Sequence, residues 1–248
     1  MNLHEAFNLF DAYSRRARVV PGFIAAAPVV VIALFFLPGR SFASLGPIAV
    51  GMGFLFLLAN MVRHAGRNVE RRLVSAWDGL PTTRMLRYRT GNNPVLFERR
   101  RKALERLYGT TLPTRRQEAA SPEKADELYV AATRCLITHV RAHHDAFPLV
   151  QTENINYGFA RNMLGLKPCA LLILAVAAGV DYLFWRHDGV SSQFWIVVGV
   201  HCLLASTWLS FVRRPWVKQT ATTYADRLFE ALDHPAKLTT SAGEVAPT

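Results

Sequence analysis

Asp181 and His201 are the two ionisable residues that interrupt otherwise uncharged apolar runs of this sequence. An Asp at the centre of a membrane-spanning helix costs about 2.5–3.5 kcal/mol on insertion scales, so such residues often have a functional reason. Counting inward from the short loop Arg186–Gln193, Asp181 lies about four residues deep and His201 about seven. These depths differ by only about 5 Å at a rise of about 1.5 Å per residue, so the two side chains could meet across a helical hairpin.

Two interpretations of this pair follow from the sequence. In the first, Asp181 and His201 form an intramembrane polar lining, or a proton-sensitive pair, in a pore. In the second, Asp181 reaches the outer headgroups beside Trp185 and Arg186, whereas His201 hydrogen-bonds a neighbouring helix. Substitution by Leu separates the two interpretations, because only residues that line a path should alter activity.

A strongly basic segment occupies positions 84 to 116. Three interpretations compete: contact with anionic lipid headgroups, binding of a phosphorylated ligand such as a nucleotide second messenger or nucleic acid, or a solvated face. The sequence has no glycine-rich phosphate loop there, and nucleic acid is the partner class that we do not expect. The residues predicted to form a basic patch for a ligand, lipid or partner are Arg84, Arg87, Arg89, Arg99, Arg100, Arg101 and Lys102.

The histidines near position 140 have a spacing that could bind a metal ion. His139 and His143 are four residues apart on one helix, followed by His144 and Asp145. The Glu of a metalloprotease helix is missing and no further ligand is evident, so we interpret this stretch as a solvated, basic helix end. The three cysteines form no CxxC pattern. We therefore predict no metal, no cofactor and no catalytic residue, and no enzyme activity.

The stretch from Phe147 to Lys167 is rich in Asn, aromatic and Gly residues. One interpretation is an element that couples a cytoplasmic region to the membrane. The other is a junction whose Asn side chains satisfy backbone groups near the membrane interface. The residues predicted to couple are Asn154, Asn156, Tyr157 and Arg161.

Four apolar runs of 18 to 20 residues, in which Asp181 is the one acidic residue and Lys and Arg are absent, position these groups. About 20 apolar residues in a helix cross a hydrocarbon core about 30 Å thick, so we predict four transmembrane helices in two hairpins. The spacing of Ala175 and Gly179 also indicates close helix packing, either within the chain or between chains. The four runs are Val19–Leu37, Ala43–Val62, Pro168–Trp185 and Phe194–Val212.

The distribution of positive charge gives the predicted spans an orientation. The chain has a formal net charge of +11, and residues 63–167 contain 19 Lys and Arg against 10 Asp and Glu. Each predicted hairpin loop carries one Arg. Because Lys and Arg accumulate on cytoplasmic flanks, we predict a bacterial inner (plasma) membrane protein with both termini and the middle region in the cytoplasm.

The predicted fold class is all-α. Asn93-Pro94 and Gly109 should bound a helix over Pro94–Tyr108, a loop should follow over Thr110–Ala120, and Ser121-Pro122 should open the next helix. The predicted segments are an amphipathic helix over 1–18, transmembrane hairpins over 19–62 and 168–212, a cytoplasmic helical domain over 63–167, an amphipathic helix over 213–235 and a disordered tail over 236–248.

The stretches Trp77–Arg87 and Glu153–Lys167 resemble segments of uncharacterised bacterial four-transmembrane proteins of similar length. The arrangement of two hairpins around a helical region is similar to that of four-span membrane effectors of bacterial antiphage systems, some of which are associated with cyclic-oligonucleotide signalling. This resemblance implies a membrane-disrupting or pore-forming effector that is held inactive until it is triggered.

The sequence therefore predicts an oligomeric effector or channel-like protein of the inner membrane, regulated through its basic cytoplasmic domain. Its expected partners are the lipid bilayer, further copies of the same chain, and a cytosolic sensor or partner protein. The alternative is a non-catalytic membrane scaffold that recruits a cytosolic partner to its basic surface.

Overall fold

The computed structural model describes residues 12–36, 46–90, 93–189, 191–234 and 238. The described residues form helices and no strand, which confirms the predicted all-α fold class. The predicted turn of the first hairpin, most of the predicted N-terminal helix and nearly all of the predicted disordered tail lie outside them. The longer helices are α1 (Val20–Phe36), α2 (Gly46–Ala76), α3 (Pro94–Tyr108), α4 (Arg115–Ala120), α5 (Pro122–Ala142), α6 (Pro148–Asp188), α7 (Ser192–Ser210) and α8 (Arg214–Glu230).

The ends of α3 follow directly from its sequence. The side chain of Asn93 accepts hydrogen bonds from the backbone N–H groups of Val95 and Leu96, at 3.0 and 3.4 Å. Gly109 has a φ of +73°, and its N–H donates to the carbonyl of Glu105 at 2.8 Å. An Asn cap and a left-handed Gly are frequent helix ends, so the bounds of α3 are the predicted ones.

Helix α4 replaces the second half of the loop that we predicted over Thr110–Ala120. Thr114 and Gln117 form a reciprocal capping box, in which the Gln117 N–H donates to the Thr114 hydroxyl and the Thr114 N–H donates to the Gln117 side chain. A capping box satisfies two backbone donors at a helix start. The signal was present in the sequence as Thr-x-x-Gln, and the loop prediction overlooked it.

Three helical segments are long and apolar enough to cross a membrane: Arg15–Ala33, Pro148–His187 and Ser192–Ser210. Large apolar side chains on these helices are exposed, a pattern that suits contact with lipid better than contact with water. The second predicted span is helical from Gly46 onward, as part of α2. That this second segment crosses a membrane stays a prediction, and so does the total of four spans.

The described residues divide into two compact units. The first unit contains the residues up to Arg72 together with Ile155–Val217, and the second contains Leu73–Asn154 together with the residues from Lys218 onward. Helices α2 and α6 each contribute residues to both units. All contacts described below lie within one unit or the other.

An apolar cluster from four helices stabilises the first unit. It includes Ala25 of α1, Val62 of α2, Met163 of α6 and Trp208 of α7, each buried. Helices α2 and α6 approach so closely that a Cβ atom added at Gly165 would lie 2.7 Å from the carbonyl carbon of Ala65. This contact depends on the missing side chain of Gly165.

The helical chain leading into α1 contains a π-helical turn, Arg15–Val19. Pro21 has no N–H, so it cannot donate to the carbonyl of Ala17 one turn earlier. The side-chain amide of Asn162 donates to that carbonyl instead, at 2.5 Å. The described part of the predicted N-terminal helix is therefore fixed to α6 by a side chain that replaces a backbone donor.

The second unit has its own apolar core. Helices α3, α5 and α8 meet there through Leu104, Tyr129, Leu136 and Phe229, each of which has a solvent exposure of at most 1%. Buried polar side chains from the predicted basic patch also enter this core, as described below.

Candidate functional site

Asp181 and His201 are in direct contact in the first unit. Oδ2 of Asp181 lies 2.7 Å from Nδ1 of His201, and the two residues are only 6% and 5% exposed. The proximity predicted from their depths is confirmed. A role in a pore or path stays a prediction.

The connection between α6 and α7 aligns this pair. Gly189, with a φ of +76°, follows the end of α6, where its N–H donates to the carbonyl of Trp185. The hydroxyl of Ser191 accepts from the N–H of Phe194 at 3.1 Å and caps the start of α7. The Gly end and the Ser cap leave only a short connection between the two helices, and the contact of Asp181 with His201 shows that residues at similar depths face each other.

A third helix completes the surroundings of the pair. Nε2 of His201 lies 3.3 Å from the backbone carbonyl of Pro28, which is buried within α1. The second carboxylate oxygen of Asp181, Oδ1, is buried and has no hydrogen-bond partner among the described residues. Sequence reasoning missed Pro28, because a backbone carbonyl leaves no signal in residue type.

Two of the four predicted coupling residues form a polar cluster with Glu70 of α2. The hydroxyl of Tyr157 donates to Glu70 Oε1 at 2.6 Å, and Arg161 Nη1 donates to Glu70 Oε2 at 2.7 Å. The guanidinium of Arg161 also lies over the Tyr157 ring, 5.6 Å from its centroid. These contacts join α2 to α6. Asn156 is exposed, and Asn154 belongs to the second unit, so the structure does not bring the four residues together.

Arg101, from the predicted basic patch, lies inside the second unit and is 4% exposed. Its guanidinium donates to the carbonyls of Leu86 and Pro113, at 2.9 and 2.6 Å, and to the Tyr129 hydroxyl at 3.2 Å. It also lies 4.6 Å from the centroid of the Tyr88 ring. Arg101 therefore contributes to the core of this unit and is inaccessible to an external ligand.

Arg87 is buried too, at 3% exposure, and binds two carboxylates. Its Nε donates to Asp126 Oδ1 at 2.7 Å and its Nη1 donates to Asp78 Oδ2 at 2.8 Å. Burial alone would lower the pKa of this guanidinium, but its hydrogen bonds and charge contacts with Asp126 and Asp78 outweigh burial and raise it. Arg89 shares Asp126, at 3.2 Å.

The remaining members of the predicted patch differ in accessibility. Arg99 pairs with Asp233 at 2.9 Å and Arg100 with Asp226 at 2.8 Å, which connects α3 to the C-terminal part of the second unit. Lys102 is exposed. The seven residues therefore do not form one continuous basic surface, and most of their charge is used within the protein.

Arg84 lies in a cleft of the second unit that the sequence did not reveal. The cleft has about 540 Å³ of space that includes open solvent, and its lining includes Trp77, Arg84, Thr90, Lys218 and Thr222. Arg84 also donates to the carbonyl of Trp77 at 2.6 Å. The Thr90 and Thr222 hydroxyls donate to backbone carbonyls, so the two cations, Arg84 and Lys218, are the groups of this lining that suit an anionic group. More than 130 residues of sequence separate Arg84 from Lys218, so spacing could not predict this site.

The histidines near position 140 bond to their own helix. Nδ1 of His139 lies 2.9 Å from the carbonyl of Cys135, and Nδ1 of His143 lies 2.9 Å from the carbonyl of His139. Within the described ranges, no group of three His, Cys, Asp or Glu side chains is placed to hold a metal ion.

Glu118 and Tyr129 are buried beside Arg101, which donates to the Tyr129 hydroxyl. The Tyr129 hydroxyl donates to Glu118 Oε2 at 2.7 Å, and Glu118 also accepts from the backbone N–H of Tyr88 at 2.9 Å. Burial, together with the adjacent Glu118 carboxylate, raises the pKa of the Tyr129 phenol above its usual value. The phenol therefore resists ionisation in the folded protein.

We expect this raised pKa to make the second unit sensitive to alkali. A free tyrosine ionises near pH 10. The contribution of Tyr129 to stability is complete below that pH and is lost as the pH rises toward the higher pKa of the folded state, because only the unfolded chain ionises easily there. Denaturation of the full chain in detergent, followed from about pH 8 upward, should show a steeper loss for the natural protein than for Tyr129→Phe. Equal slopes would contradict the expectation.

Comparison of the chain with protein-family models, with curated proteins and with solved structures gives no match. The function must therefore be inferred from the contacts of the molecule itself. Of these, the Asp181–His201 pair is the least expected in an apolar helical unit.

Proposed function

We propose that this chain is a non-enzymatic integral membrane protein that acts on the bilayer as an effector or channel-like protein. The observation that supports this proposal is the buried contact between Asp181 and His201 on two helices long and apolar enough to cross a membrane. An ion pair is weak evidence for stability, because apolar residues of similar volume often pack as well or better. An intramembrane ionisable pair is therefore more readily understood as part of a path or gate.

The three candidate spans, together with the apolar runs and the charge pattern of the sequence, support a proposed membrane topology. Four spans in two hairpins, a bacterial inner membrane, and cytoplasmic termini and second unit follow from the apolar runs and the positive charge. Four helices form a narrow bundle, so a conducting path would require several copies of the chain. Ala175 and Gly179 are exposed on α6, which supports a contact between chains at that surface.

Regulation is proposed to act through the second unit. The resemblance to antiphage effectors suggests that a sensor protein or a nucleotide second messenger triggers membrane disruption. The cleft that contains Arg84 and Lys218 supports a phosphorylated ligand more directly than the predicted patch does, since Arg87 and Arg101 are buried.

Inducible expression in bacteria with a membrane-potential dye tests the proposed function. Expressed strongly enough to act without its trigger, the natural chain should depolarise cells, and a variant carrying both Asp181→Leu and His201→Leu should reduce the response to that of an empty vector. The double substitution removes both charges together, so it leaves no unpaired charge buried. Leu183→Ala, at an exposed position of the same helix, is the matched control and should depolarise like the natural chain.

The same experiment separates this function from the alternative, a membrane scaffold. The exposed cations Lys102, Arg106, Arg115 and Arg116 favour the scaffold, because a cytosolic partner could reach them. A scaffold would leave the membrane potential unchanged in every variant. Equal amounts of membrane-inserted protein, measured by immunoblotting of membrane fractions, make the comparison valid.

A further inference from the structure

The contacts of His201 determine how many protons the buried pair carries. The carbonyl of Pro28 can only accept a hydrogen bond, so Nε2, 3.3 Å away, must hold a proton for this contact to form. Nδ1 then has two options toward Asp181, 2.7 Å away. It either donates as part of an imidazolium or accepts from a protonated carboxyl. Both arrangements contain the same number of protons and have no net charge.

Removal of one proton would disrupt this arrangement. The remaining N–H of a neutral ring would turn to the Asp181 carboxylate, and the bare Nε2 would face the Pro28 carbonyl as a second acceptor. The pair would also carry one negative charge in a site that excludes water, since Asp181 is 6% exposed. Addition of a proton would leave a buried positive charge. The contacts therefore favour one protonation state of the pair.

No other described charge faces the pair to compensate for such a change. Helix α1 contains no ionisable residue, and neither does the sequence 46–62 of α2. Beside the pair on α6 and α7, the side chains of Tyr182 and Cys202 are exposed, as is Arg186 farther along α6. Among the described residues, His201 is the one ionic partner that can balance the charge of Asp181.

We propose that Asp181, His201 and the Pro28 carbonyl form an intramembrane binding site for a single proton. Loading transfers a proton from a hydronium ion to Nε2: an N–H bond forms, an O–H bond breaks, a water molecule leaves, and the net charge of the pair changes from −1 to 0. Release is the reverse step. The inference rests on the proposed function for the membrane setting of α6 and α7.

The bound proton also determines the contact between α1 and α7. When Nε2 is protonated, it donates to Pro28 and ties α7 to α1. Without that proton, two acceptors face each other and the helices are driven apart. Pro28 lies inside α1 and lacks the N–H that would complete the helical hydrogen bond there, so α1 can bend at this position. Proton binding therefore closes α1 on α7.

Nitrogen-15 NMR of the full chain in lipid nanodiscs tests the site. Val200–His201 is the only Val-His dipeptide in the sequence. Carbon-13 at the Val carbonyl, combined with uniform carbon-13 and nitrogen-15 labelling of His, therefore identifies the backbone of His201 and connects it to its ring nitrogens without a substitution. We expect Nε2 of His201 to carry a proton at neutral pH, as its contact with the Pro28 carbonyl requires. His144, whose side chain is 65% exposed, is the internal reference. A bare Nε2 at neutral pH would overturn the proposal.

The Asp181→Asn variant provides a second test that preserves shape. The amide of Asn can donate to Nδ1 while Nε2–H still donates to Pro28, so this variant imitates the loaded site without an exchangeable charge. We expect a neutral ring with a proton on Nε2 and none on Nδ1, and the reverse tautomer would contradict the proposal. The NMR signals report protonation whether or not the protein depolarises cells, so failure of the proton site and failure of the proposed function are distinguishable.

Discussion

Arg101→Met should lower the free energy of unfolding by about 3–5 kcal/mol, as expected when one member of a buried charged network is removed. The substitution leaves the carbonyls of Leu86 and Pro113 without their donor. It also removes the positive charge beside Tyr129, whose hydroxyl binds the buried Glu118. The loss is comparable to that of a large core truncation, because several polar groups become unsatisfied together.

Lys102→Met is the matched control for Arg101→Met. Lys102 is the next residue of the same helix and carries the same charge, but it is exposed. Its substitution should change stability by no more than about 0.5 kcal/mol, as is usual at surface positions. Hydrogen exchange of the α5 amides in the full chain, measured in detergent micelles, reports the stability of the second unit directly. Equal exchange in the two variants would show that burial of Arg101 does not stabilise this unit.

Gly165→Ala should destabilise the first unit by about 1–3 kcal/mol, the usual cost of overpacking a tight contact. A Cβ atom at this position would lie 2.7 Å from the carbonyl carbon of Ala65 and 2.8 Å from the amide nitrogen of Gly66. Both are backbone atoms, so no rotamer change can remove the overlap, and α2 must move away from α6. The effect opposes helix propensity, which alone would favour Ala by about 1 kcal/mol.

Gly199→Ala is the matched control for Gly165→Ala. Gly199 lies in α7 of the same unit, and beyond its chain neighbours and its own helix backbone no described atom lies within 4 Å of the position that its Cβ would occupy. Thermal unfolding of the purified full chain in detergent should therefore show a lower midpoint for Gly165→Ala and an unchanged or higher one for Gly199→Ala. Similar losses in both variants would show that Gly contributes through helix flexibility rather than through the contact between α2 and α6.

These expectations also distinguish packing residues from the residues proposed to act in the membrane. Arg101 and Gly165 stabilise their respective units and should change activity only through the amount of folded protein. The double Leu variant of Asp181 and His201 should lower activity without lowering the amount of folded protein, because it leaves no unpaired charge buried. Comparison of stability and depolarisation in the same set of variants therefore assigns each residue a role.

The sequence alone determined the apolar helices and several of their ends. Apolar runs of about 20 residues are long enough to cross a bilayer as helices, which satisfy their backbone groups internally, and three candidate spans are present. The bounds of α3 were predictable because Asn93 and Gly109 act through contacts with near neighbours in sequence. The meeting of Asp181 and His201 was also predictable, since a short loop between two helices of regular rise fixes which residues lie at equal depth.

Only the tertiary structure decided which arginines are buried. Arg101 and Lys102 are adjacent and similar in type, yet one lies in the core and the other is exposed. Helical periodicity can assign them to different faces. The hydrogen-bond acceptors that stabilise the buried Arg101 guanidinium, however, come from Leu86, Pro113 and Tyr129, in other segments of the chain. A basic run in the sequence therefore became a network of internal contacts.

For the same reason, the sequence showed the pair Asp181–His201 but not the Pro28 carbonyl that completes its site. Asp181 and His201 were recognisable by their charge within apolar runs, whereas the Pro28 carbonyl contributes a backbone atom that every residue has. Likewise, Ala175 and Gly179 had the spacing of a packing motif, but the close approach of helices occurs at Gly165. Residue types determined the helices and their ionisable groups. The packing of α1 against α7 and of α2 against α6 decided which backbone atoms those groups meet, because such contacts join residues distant in sequence.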